Sequence, residues 1–76
     1  MTTLERKTII QSVNEIFSLE LDGYKKFEST SYYGLRKTKL EHTRNGNIAE
    51  VVSIPENGII RIFINNKIVK ETCMTA

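Results

Sequence analysis

The chain is short of the residues that usually announce a chemistry. It has one cysteine, one proline, one histidine and no tryptophan in 76 residues. A single cysteine, Cys73, excludes an intrachain disulfide, and one Cys with one His cannot close a tetrahedral zinc shell. No stretch approaches the roughly 18 apolar residues of a membrane span. The opening MTTLERKTII meets acid and base before any apolar run and holds no signal-peptide core. With no sign of an oxidising compartment, the expected location is the cytosol. No GxxxxGK phosphate loop occurs, so neither a metal nor a cofactor is expected.

What is present suits a small globular domain: 39% hydrophobic and 26% charged residues, with a net charge of +2. A chain of this length makes one domain, residues 1–76, and buries little apolar area against its conformational entropy. With disulfide and metal excluded, self-association, for instance as a homodimer, is the remaining route to extra stability. Ile, Asn and Lys supply 23 residues whereas Ala, Gly, Pro and Arg supply 11. This bias points to an A/T-rich gene, as in a low-GC bacterium or one of its phages, where short motif-free proteins often serve as accessory factors.

Residues 3–20 read as a helix. Thr2 and Glu5 form a capping-box pattern, and Ile9, Val13, Ile16 and Phe17 recur at helical spacing as its core stripe. Arg6, Lys7, Gln11, Asn14 and Glu15 form its wet face, and Asp22-Gly23 ends it. Beyond Gly23 the period becomes that of strands. Asn45-Gly46, Pro55-Glu56-Asn57-Gly58 and Asn65-Asn66 read as three turns, the first a two-residue hairpin loop. They delimit strands at 36–44, 47–54, 59–64 and 67–73, with residues 24–33 as a possible fifth, edge strand. The fold class is therefore α+β, one N-terminal helix packed on a four- or five-stranded antiparallel meander.

These turns imply a register. Leu40 falls opposite Val51, Val51 opposite Ile62, and Ile62 opposite Val69, an apolar row that Ala49, Ile60 and Ile64 flank; this is the seat for the helix. The other face carries Val52, Ile54, Ile59, Phe63 and Ile68 with Lys37, Lys39, Arg61 and Lys70, and sets Glu41 against Glu50. One helix cannot cover both faces, and exposed apolar patches mark interaction sites. The leading expectation is a non-enzymatic binding protein, an inhibitor or adaptor. Its apolar residues would anchor a protein partner and its cations would steer an acidic one.

The stretch SYYGLRKTKLEHTR carries the second expectation. Residues 24–44 have a net charge of +4. Tyr24, Lys25, Lys26, Tyr32, Tyr33, Arg36, Lys37, Lys39 and Arg44 together suit nucleic-acid binding by stacking and phosphate contact. The overall charge is small for a dedicated nucleic-acid binder, which ranks this reading second. Catalysis has less to stand on, because His42 has no nucleophile near it in sequence. A cross-strand Glu41–Glu50 pair would sit on a flat face without a cleft.

Overall fold

A computed structural model describes residues 1–75. Helix α1 (Thr3–Leu21) is followed by five strands: β1 (Tyr24–Tyr32), β2 (Leu35–His42), β3 (Ile48–Ile54), β4 (Ile59–Ile64) and β5 (Lys67–Cys73). The strands form one antiparallel sheet in the order β1-β2-β3-β4-β5, with α1 packed on one face. Residues 24–33 thus extend the sheet as its edge and do not fold over it.

The helix start is the capping box read from the sequence. The Glu5 N–H donates to the Thr2 hydroxyl at 3.1 Å, and the Thr2 N–H donates to Glu5 Oε1 at 3.0 Å. The bond from the Thr2 backbone, followed by that from its hydroxyl, holds the Glu5 carboxyl below its ordinary pKa. A depressed carboxylate pKa stabilises the fold above the unfolded-state value, and that contribution is lost as pH falls through the folded-state value. Glu5→Gln keeps a capping-box partner but cannot titrate. Wild type should therefore lose its advantage over Glu5→Gln on acidification; a melting-temperature difference independent of pH would refute this.

The buried apolar cluster is Leu40, Ala49, Val51, Ile60 and Ile62, with Ile16, Leu19, Tyr24, Ile64 and Met74 packed around it. It lies on the sheet face expected to carry it, but through a different register. Leu40 pairs with Ala49, and Val51 with Thr38 on one side and Ile62 on the other. The β2–β3 connection is longer than a two-residue hairpin loop, running from Thr43 to Asn47. Gly46 alone takes a positive φ there, +73°, and its N–H donates to the His42 carbonyl. The shift is two residues, so every side chain keeps its face. It does separate Glu41 from Glu50, which instead pair with Ile48 and Lys39.

A second departure has the opposite consequence. Ile62 pairs with Lys70 and Phe63 with Ile68, leaving Val69 as an extra residue in β5. This bulge is a one-residue slip, and a slip of one exchanges faces. Val69 leaves the core row and is exposed, while Lys70 turns to the helix face, where its Nζ donates to Glu15 Oε1 at 2.7 Å.

The helix also settles on another side than its Ile9-Val13-Ile16-Phe17 spacing suggests. Val13 and Phe17 are more than half exposed, as are Ile10 and Leu21, whereas Thr8 and Ser12 are buried. Both hydroxyls are satisfied within the helix, Thr8 donating to the Leu4 carbonyl and Ser12 to that of Ile9. Small side chains facing the sheet permit close approach, and burial of the hydroxyls costs little once they are bonded. Ile16 and Leu19 set the roll by packing on the core cluster. Only Asp22 and Gly23 separate the helix from β1, which leaves little slack for another roll.

Candidate functional site

The sheet face turned away from α1 has no element packed over it among the described residues. Its side chains follow from register. At one end Tyr32 pairs with Leu35, Ile54 with Ile59, and Ile59 with Cys73. The β2–β3 register, carried one residue further, places Leu35 beside Ile54. The result is an apolar band across all five strands: Tyr32, Leu35, Ile54, Ile59 and Cys73. Val52 adjoins it in the next row. Phe63 and Ile68 pair with each other one row further on. Leu35, Val52, Ile54, Ile59 and Phe63 are half-buried, and Ile68 is exposed.

Of the residues expected on this face, Val52, Ile54, Ile59, Phe63, Ile68, Lys37, Lys39 and Arg61 are there, and Lys70 is not. The bulge at Val69 puts Lys70 on the helix side, so it belongs to no partner surface on this face. Tyr32, Leu35 and Cys73 were missed. The turn at Tyr33-Gly34 was the available signal, since it folds Tyr32 back onto Leu35.

The charges on this face are largely matched. Arg61 Nε donates to Glu71 Oε2 at 2.5 Å, and Lys39 Nζ lies 3.7 Å from Glu28 with Glu50 opposite. Lys25 pairs in register with Glu41. Lys37, between Thr30 and Val52, makes no ion pair among the described residues. Exposed pairs of this kind add little stability, and they leave little net potential for long-range steering.

The residues of the nucleic-acid reading are not brought together. Tyr24 is half-buried, its ring meeting His42 edge-on at 4.9 Å. Tyr32 and Tyr33 lie at the far end of the β1–β2 hairpin, their rings 4.4 Å apart and Tyr33 92% exposed. Lys25, Lys37 and Lys39 face away from the helix, Lys26 and Arg36 face its side, and Arg44 stands in the β2–β3 turn. Lys25, Lys26 and Arg44 do share an open groove of about 550 Å³ with Phe27, Glu41 and His42. No tyrosine lines that groove.

His42 is committed to structure. Its Nδ1 accepts from the Arg44 N–H at 3.1 Å, and its Nε2 lies 3.1 Å from the Asp22 carbonyl, which can only accept. The ring thus ties the end of α1 to the β2–β3 turn with both nitrogens spent. Among the described residues no group of three or more His, Cys, Asp or Glu side chains gathers as a metal site. No helix is long and apolar enough to cross a membrane. Comparison with protein-family models, curated proteins and solved structures finds no match to this chain.

Proposed function

We propose that this protein is a binding module, not an enzyme, and that it acts by occupying a protein partner, as an inhibitor or adaptor does. The observation that carries this reading is the apolar band across the uncovered sheet face, extended by Val52, Phe63 and Ile68. Half-exposed side chains in a rigid sheet have already lost much of their rotamer freedom, so a partner gains their burial at little ordering cost. Phe63 is the largest half-buried side chain of the set, and aromatic anchors carry a disproportionate share of interface affinity. With the other charges matched within the face, attraction of an acidic partner rests on Lys37.

Phe63→Asp tests the proposal. The aspartate faces Glu50 and sits in a strand, which together should cost the monomer no more than about 1–2 kcal/mol. Circular dichroism should therefore show a folded chain. A tagged wild-type chain should retain a specific protein from cell extract after nuclease treatment, and Phe63→Asp should lose it. Ile59→Lys should behave likewise. Retention of the same protein by both variants would place the binding surface elsewhere, and capture abolished by nuclease would favour the nucleic-acid reading.

A further inference from the structure

An apolar side of α1 faces away from the sheet. Ile10, Val13, Phe17 and Leu21 are each more than half exposed. At 3.6 residues per turn they fall on one narrow stripe, roughly opposite the buried Thr8 and Ser12 and the half-buried Leu19. The stripe runs for about 16 Å along the helix at 1.5 Å per residue. Its flanking charges are segregated: Arg6 and Lys7 border the N-terminal end, and Glu20 borders the C-terminal end. Asn14 borders the middle.

We infer that this stripe pairs with the same stripe of a second copy of the chain, the two helices running antiparallel about a two-fold axis near Val13 and Asn14. In that arrangement Ile10 of one copy packs beside Phe17 of the other, and Phe17 beside Ile10. Arg6, on the same flank of the stripe as Glu20, comes over Glu20 of the mate, so both ends of the seam carry opposite charges. A parallel pairing would set Arg6 and Lys7 against themselves and Glu20 against Glu20, which the charge pattern disfavours. The macrodipoles of antiparallel helices also oppose favourably. A two-fold interface is self-complementary, which is what a stripe with basic and acidic ends provides. This surface lies on the opposite layer from the proposed partner-binding sheet face, so each can fail without the other.

The test is sedimentation equilibrium of the full chain over a wide concentration range. The expected result is a monomer–dimer equilibrium between the 8.7 kDa chain and twice that mass. Phe17→Asp should raise the dissociation constant at least about tenfold while leaving the helical signal intact, and Ile10→Lys should repeat the effect. Arg6→Glu and Glu20→Arg should each raise it about two- to tenfold, and the double variant should restore it. Asn14→Cys in a Cys73→Ser background should give a disulfide-linked dimer on mild oxidation. A chain monomeric at every concentration would overturn the inference, as would a dimer indifferent to Phe17→Asp and Ile10→Lys. A dimer broken by Phe63→Asp instead would move self-association to the sheet face. Failure of the charge swap to restore affinity would rule out the antiparallel arrangement.

Discussion

Ile62→Ala should lower the unfolding free energy by about 2–5 kcal/mol, a cost made of lost transfer energy and the cavity left behind. Ile62 is 5% exposed and belongs to the small buried apolar cluster with Leu40, Ala49, Val51 and Ile60. It pairs with Val51 on one side and Lys70 on the other. Neither neighbour can fill the vacated volume, since Val51 is held in its own ladder and Lys70 is engaged with Glu15. Small proteins hold about 5–15 kcal/mol in total, so this one change removes a large fraction and can prevent folding. Urea denaturation read by circular dichroism measures it. An unchanged midpoint would mean that Ile62 is not a core residue and that the β4 register is wrong.

Gly58→Ala should be the most damaging of the glycine substitutions. Gly58 has φ +71° after the 3-10 turn Pro55–Asn57, a conformation that strains any residue with a Cβ by about 1–3 kcal/mol. Space compounds the strain. A Cβ there would lie 2.8 Å from the Met74 carbonyl oxygen and 2.9 Å from Leu4 Cδ1. The first is backbone that cannot swing aside, because the Met74 N–H donates to the Gly58 carbonyl at 2.6 Å. The substitution would push apart the helix start, the turn and the end of β5 at once. Gly46 is the control: its φ is +73°, but its nearest neighbour would be Glu41 Oε2 at 3.9 Å. Gly46→Ala should therefore cost only the backbone strain, about 1–2 kcal/mol. Equal losses in parallel thermal melts would disprove the close approach at Gly58.

The sheet faces were legible because the register error between β2 and β3 was even. Reading Asn45-Gly46 as a two-residue loop misplaced β2 against β3 by two positions, yet Leu40, Ala49, Val51, Ile60 and Ile62 still shared one face. The turn lengthens because Asn45 Oδ1 accepts from the Asn47 N–H, and the His42 N–H bonds to the Asn47 carbonyl. Neither bond has a signature in the dipeptide itself. The single odd step, the bulge at Val69, moved Lys70 out of the candidate site, and nothing in Lys67–Cys73 marks it.

Short-range rules determined what the sequence alone could determine here. The capping box at Thr2 and Glu5, the positive φ at Asn65 and Asn66, the left-handed Gly58 and the change of period after Gly23 each depend on a few adjacent residues. Those features suffice for one helix followed by an antiparallel meander. Tertiary structure alone decided which side of α1 is buried. The spacing joins Ile9, Val13, Ile16 and Phe17 in one stripe, and the fold splits it, packing Ile16 on the core and leaving Val13 and Phe17 exposed. The choice came from Ile16 and Leu19 meeting the core cluster and from the close seat offered by Thr8 and Ser12. The band from Tyr32 to Cys73 likewise exists only once five strands are in register. Surfaces assembled from residues far apart in the chain depend on register and roll, and these are set by the packing of the whole molecule, not by any local stretch.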